Sequence, residues 1–259
     1  MQNSMSSLKK TAGRRFRSAM AALLAMAAGI APAVAQPAAV EIIGPARPPY
    51  IVDKDGMGAG PAVEIVQRLA LDVGLSPQVR IMPFQRAVKH LDEGGTIYPA
   101  LLRTPQREQK YVWIGEVFTD RAVIYTRSRE PMANDIVSAR RLRRISVMQG
   151  SELQGMLRSF GLANFETNNS EIDNARLLQA GRIDGWFTLR AVGRATWREL
   201  DFDPAQLRAG EPFALMSFWI AASEDLPATM INSLRRSYDA LRRSGEYDRI
   251  IAPLLQPPS

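Results

Sequence analysis

Residues 79–102 read VRIMPFQRAVKHLDEGGTIYPALL, and this run decides the class of the fold. Val79 to Phe84 is an apolar-rich strand that ends in Pro83, because proline cannot donate to a ladder. From there Phe84, Ala87, Val88 and Leu91 recur at helical spacing on one face. His90 lies off that face and reads as a solvated helix residue. Gly94-Gly95 closes the helix, and Thr96 to Leu102 is a second strand. A strand, a short helix and a strand make the unit of a parallel sheet covered by helices.

The same rhythm extends in both directions. Upstream, Val40 to Ile43 is a strand, broken by Arg47-Pro48-Pro49-Tyr50. Asp53 to Gly60 reads as a turn-rich loop. Pro61 then opens a helix at its first position, with Ala62, Ile65, Val66, Leu69, Ala70 and Val73 on one face and Gly74 at its end. Downstream, Thr104 and Pro105 fit the cap and first residue of another short helix. Tyr111 to Ile114 and Ala122 to Thr126 are expected as two further strands.

The pattern then restarts. Arg144 to Met148 is a strand, and Gly150-Ser151 turns it into a helix with Leu153, Met156 and Leu157 inward. Ser151 and Gln154 have capping-box spacing. Asn164 to Thr167 is a strand, Asn169-Ser170 a cap, 171–180 a helix, and Ile183 to Leu189 a strand. Phe213 to Ala222 is a long apolar strand, followed by helices from Pro227 and around Tyr247 and a loose tail over 256–259. The expected fold class is therefore α/β with two lobes, each a mostly parallel sheet flanked by helices. Lobe 1 is discontinuous, 36–126 and 218–259. Lobe 2, 127–217, is inserted through two hinge crossings. The two halves read as separate lobes rather than one sheet.

Composition narrows the function. The chain has 259 residues, 46% of them hydrophobic and 23% charged, enough for a sizeable core. It has no cysteine and a single histidine, which excludes disulfides, thiolate nucleophiles, Cys-ligated metals and two-histidine metal sites. No cofactor or metal is expected. The formal charge of +7 would suit nucleic acid, but its placement argues otherwise. Lys9, Lys10, Arg14, Arg15 and Arg17 precede an Ala-rich apolar run and Ala33-Val34-Ala35, the pattern of a signal peptide over 1–35. Without it, 33 less 5 leaves 28 basic residues against 26 acidic ones, close to balance. Nucleic-acid binding is not expected, and the run Arg140 to Arg144 reads as a solvated helix end or a docking face.

Several pieces now stand in order: Arg47-Pro48-Pro49-Tyr50; Met82-Pro83-Phe84-Gln85-Arg86-Ala87; Thr104-Pro105-Gln106-Arg107; Val147-Met148-Gln149-Gly150-Ser151; Leu178-Gln179-Ala180-Gly181-Arg182-Ile183-Asp184; and Ser244-Gly245-Glu246-Tyr247. In these the chain resembles the periplasmic solute-binding proteins of family 3, the polar amino acid type of ABC importers. The resemblance implies two lobes that close on a small ligand, a periplasmic location, an ABC permease as partner, a monomer, and a binding protein rather than an enzyme. It also implies site residues. Arg107 would clamp a ligand carboxylate through its planar guanidinium, in a first helical turn that favours anions. Leu102 and Thr104 stand beside it. Gly150 and Ser151 would donate to the same carboxylate from lobe 2. Tyr50 and Phe84 would pack on the ligand body, and Arg86 is a second anion candidate.

The departures matter as much. Amino acid binders of the family usually hold the ligand ammonium with an aspartate where this chain has Leu189. A buried ammonium without a counter-charge is expensive. The expected ligand is thus a small carboxylate-bearing solute, either a polar amino acid or an organic acid, with Glu152 or Asp173 as conceivable compensating acids. A dehydratase-like enzyme, with one of those carboxyls as its acid or base, and a sensory receptor are the alternatives on the same scaffold.

Overall fold

The computed structural model describes residues 40–255. The expected signal peptide and the tail over 256–259 lie outside them.

The quoted run folds as read: β4 (Val79–Ile81), α2 (Phe84–Glu93) and β5 (Thr96–Leu102), preceded by β1 (Glu41–Gly44) and α1 (Pro61–Asp72). β1 lies between β4 and β5 and is parallel to both. α1 turns Ala62, Val63, Ile65, Val66, Leu69 and Ala70 inward, as its spacing requires. Every residue of β5 is buried, which a strand enclosed on both faces demands. Pro99 is accommodated in it because pairing to β1 stops at Ile97 and the other neighbour slips register between Trp219 and Ala221, opposite this point.

Three readings change in this half. Residues 112–127 form one strand, β6 (Val112–Arg127), rather than two. The segment read as a loop after Tyr50 holds a hairpin, β2 (Val52–Lys54) and β3 (Met57–Ala59). Its two central residues, Asp55 and Gly56, have φ of 55° and 83°, and Asp53 Oδ1 accepts from Gly56 N at 2.7 Å. That is a two-residue turn of the primed kind, whose twist matches the strands it joins. No helix follows Thr104. Residues 105–110 form successive turns in which Arg107 N reaches only Thr104 O, at 2.9 Å, and Lys110 N reaches Arg107 O, at 3.1 Å. The segment is too short to propagate a helix before β6 begins.

The second half contains α3 (Ile136–Arg141), β7 (Ile145–Met148), α4 (Glu152–Ser159), β8 (Phe165–Asn168), α5 (Glu171–Gln179) and β9 (Gly185–Leu189). A helix that the sequence reading left out follows directly, α6 (Arg190–Glu199), and buries Val192, Gly193, Thr196 and Trp197. It lies so close to β6 that a Cβ on Gly193 would stand 2.3 Å from the Tyr125 ring. β10 (Leu207–Ala209) pairs with β6, and β11 (Ala214–Ala222), α7 (Ala228–Arg243) and α8 (Glu246–Leu255) complete the chain.

The strand order is β2-β3-β4-β1-β5-β11-β6-β9-β7-β8. The two expected sheets are therefore joined, because β6 belongs to both. It runs antiparallel to β11 over Val112 to Ala122 and to β9 over Ala122 to Tyr125. The first half comprises β4, β1, β5 and β11, and the second β9, β7 and β8. The carboxyl ends of β1, β4, β7, β8 and β9 all lead into loops that line one cavity, the place where open α/β sheets receive ligands.

Candidate functional site

That cavity measures about 920 Å³, within the usual size of small-molecule sites. The first half contributes Arg47, Phe84, Gln85, Met216 and Phe218. The second contributes Met148, Gly150, Ser151, Glu152, Glu171 and Leu189. Of the expected site residues, Phe84, Gly150, Ser151 and Leu189 thus line it.

The others do not. Tyr50 is a core residue: its ring stacks on Phe118 with centroids 3.5 Å apart and planes at 1°. Burial and the Asp120 carboxylate beside it hold its phenol far above the ordinary value. Arg86 is exposed on α2 and outside the cavity lining. Leu102 is buried, and its carbonyl accepts from Arg107 Nη1 at 3.2 Å. Thr104 is half-buried and supports Arg107 through its backbone.

Arg107 itself already holds a carboxylate, that of Glu152. Nη1 donates to Glu152 Oε1 at 2.6 Å, with side chains 19% and 22% exposed. The guanidinium also lies 5.9 Å from the Phe84 ring. Arg107 comes from the first half and Glu152 from the first turn of α4, so the pair bridges the two halves beside the cavity, with only Glu152 in its lining. Close by, a Cβ on Gly150 would stand 3.3 Å from Gln85 Nε2, which marks how near the walls approach. A double-mutant cycle on Arg107→Met and Glu152→Gln, read by urea unfolding, is expected to give a coupling of about 1 kcal/mol. Coupling within error of zero would show that the bridge holds nothing together.

The loop after β7 is also internally engaged. Ser151 Oγ donates to Met148 O at 2.7 Å and accepts from Gln154 N at 3.3 Å. Gln154 Oε1 accepts from Gly150 N at 2.9 Å, one residue before the cap, so only the forward arm of the expected box forms. Asp173 is exposed and takes a hydrogen bond from Ser170 Oγ at 2.8 Å, away from the cavity. The basic run stays on the surface at the end of α3, a solvated helix end: its four arginines are exposed, Arg143 pairing with Asp184 at 2.9 Å and Arg140 Nη2 donating to Phe160 O at 3.2 Å.

Four charged residues that the sequence reading passed over line the cavity: Asp53 and Glu199, which are exposed, and Arg47 and Glu171, which are half-buried. Arg47 follows β1 and lays its guanidinium 4.8 Å from the Phe218 ring centroid. Its Nε is buried without a hydrogen-bond partner, and among the described residues no carboxylate lies within salt-bridge distance of it. A cation next to two prolines at a strand's carboxyl end was the available signal. Glu171, the first residue of α5, is the other half-buried one. Its Oε2 accepts from Trp186 Nε1 at 2.8 Å and Asn174 Nδ2 at 3.2 Å, and its Oε1 from Thr188 Oγ1 at 3.0 Å. Burial raises its pKa, while these donors and the Arg47 charge oppose that rise.

No curated protein sequence matches the chain. Among solved structures it is similar to a histidine kinase sensor domain that itself has similarity to periplasmic binding proteins. There the TM-score is 0.73 at 21% identity, over 83% of this chain and 96% of that one. It is also similar to an amino acid ABC transporter substrate-binding protein of Streptococcus pneumoniae bound to L-arginine, with TM-score 0.69 at 15% identity over 83% and 93%. An ancestral amino acid-binding protein, a precursor of cyclohexadienyl dehydratase, gives 0.70 at 17% over 84% and 96%. At these identities the shared property is the fold. The family model fixes the lineage: over residues 40–255 the chain matches, and it belongs to, the bacterial extracellular solute-binding proteins, family 3.

Proposed function

We propose that this protein captures a small carboxylate-bearing solute in the cavity between its two halves and delivers it, from the periplasm, to an ABC permease. The moving bodies in this reading are 36–126 with 218–259 and the inserted 127–217, linked through β6 and β11. The observation that carries it is Arg47. A guanidinium in the cavity wall, partly desolvated and without a carboxylate of its own among the described residues, is a receptor for an anion. Its planar fork suits a carboxylate bidentately. The anchor thus moves from Arg107, which Glu152 occupies, to Arg47.

The remaining walls suit the body of such a solute. Phe84, Met148, Met216, Phe218 and Leu189 offer apolar surface from both halves. A ligand touching both walls favours the closed arrangement by the difference in its affinity for closed and open states.

The test is isothermal titration of a panel of amino acids and organic acids against wild type and Arg47→Met, which keeps the stem and removes the charge. Loss of the buried charge partner is expected to weaken any carboxylate ligand at least about tenfold. A carboxylate that binds both proteins equally would remove Arg47 from the site.

A further inference from the structure

The cavity keeps its volume of about 920 Å³ although the two halves already touch beside it. Arg107 and Glu152 meet across them at 2.6 Å, and a Cβ on Gly150 would stand 3.3 Å from Gln85. The space is not that of halves swung fully apart. It lies near the top of the range for small-molecule sites, whose ligands are drug-sized. An amino acid with a short polar side chain would leave much of it to water.

The chemistry of the walls points the same way. Phe84, Met216 and Phe218 come from the first half and Met148, Leu189 and Val192 from the second. Phe84 and Met148 are half-buried and leave apolar surface for a ligand to cover. Methionine side chains adapt to an apolar body of irregular shape.

Arg47 is the single cation among the residues of the lining, and the four acids there are engaged or peripheral. Glu152 is held by Arg107. Glu171 accepts from Trp186, Asn174 and Thr188 of its own half, and burial raises its pKa towards the uncharged form. Asp53 and Glu199 are exposed, and Asp53 Oδ1 accepts from Gly56 N. Two hydroxyls are spent locally as well: Ser151 donates to Met148 O and Ser170 to Asp173. The lining thus leaves a ligand one guanidinium and apolar surface from both halves.

We propose that the solute is a carboxylate with no amine and with an apolar body of about eight carbons or more. This rests on the reading of Arg47 as the carboxylate partner. The body then lies between Phe84 and Met216 on one side and Met148, Leu189 and Val192 on the other. Selection comes from the area removed from water, and an added ammonium is refused because desolvating it costs more than the engaged acids return.

The experiment titrates butyrate, hexanoate, octanoate, 2-aminooctanoate and octanol calorimetrically into wild type, Arg47→Met and Phe84→Ala. In wild type each added methylene is expected to tighten binding about fourfold. Octanoate is expected to bind at least about tenfold tighter than 2-aminooctanoate and octanol. Arg47→Met is expected to weaken octanoate at least about tenfold, and Phe84→Ala to reduce the gain with chain length. A wild-type protein that gains nothing with chain length, or takes 2-aminooctanoate as tightly as octanoate, overturns the proposal, and this arm needs no variant to fold. An undiminished gain in Phe84→Ala also overturns it, by placing the apolar body elsewhere. If glutamate or glutamine binds wild type, weakens in Arg47→Met, and no alkanoate binds, the proposal fails while the reading of Arg47 stands. If octanoate and octanol bind alike and Arg47→Met changes neither, it is the reading of Arg47 that fails.

Discussion

Truncating Trp186 to alanine is expected to lower the free energy of unfolding by about 3–5 kcal/mol. Trp186 has no exposed surface and is among the largest fully buried side chains. It packs with Val123, Tyr125, Leu178, Ile183 and Trp197, its ring 5.8 Å from that of Tyr125. Alanine leaves a cavity that β6, β9 and α6 cannot close around, because α6 already touches Tyr125 through Gly193. The substitution also strips Glu171 of its indole donor. Trp186→Phe separates the two effects, since it keeps most of the volume and removes the N–H. Its cost is expected at about 1–3 kcal/mol, the penalty of a buried acceptor losing its donor. Urea unfolding with an unchanged m-value is the measurement, and a cost below about 1 kcal/mol for the alanine variant would contradict this packing.

Tyr50→Ala is expected to be comparably damaging, about 3–5 kcal/mol, and for a core reason rather than a ligand one. The ring stacks on Phe118, which in turn stacks on Phe218 at 4.6 Å. The Asp120 carboxylate beside the phenol also accepts from Ala191 N at 3.0 Å at the start of α6. Tyr50→Phe keeps the stack and is expected to retain most of the stability and the full ligand affinity. It also has a pH signature. The folded phenol is raised above its ordinary 10.0, so its contribution is fully present below that value and is lost as pH climbs from there towards the folded value. Wild type is therefore expected to lose more stability than Tyr50→Phe between about pH 10 and 12. Parallel pH curves for the two proteins would show that this phenol is not held neutral by its surroundings.

The elements with clean periodicity were legible in the sequence. α1 and α2 carry apolar stripes at helical spacing, and the strands between them end at Pro83 or Gly94-Gly95. β6 was not legible as one strand because Gly115, Glu116, Thr119 and Asp120 interrupt its apolar run. Two of these earn their place only through tertiary contacts: Glu116 O accepts from Tyr238 Oη at 2.8 Å, and Asp120 from Ala191 N. The loops of the site were recognisable as loops, but not which side chains turn inward. Tyr50 follows Arg47 by three residues, yet the aromatic ring joins the core and the guanidinium faces the cavity. Glu171 and Asp173 share one helical turn and the same local signal. Only the first meets the indole of Trp186, and that neighbour lies 15 residues further on. Arg107 finds Glu152 across 45 residues, a pairing no local pattern encodes.

The unbroken course of β6 carries a mechanical consequence. A ribbon of sixteen residues, laddered to β11 on one stretch and to β9 on the next, has no slack joint along its length. In the proposed closure a change in gape flexes this ribbon like a leaf spring, and the register slips of β11 at Phe218/Trp219 and Ile220/Ala221 are the irregular points of its backing. Under that closure the resistance to gape comes from bending a laddered strand rather than from turning a loop.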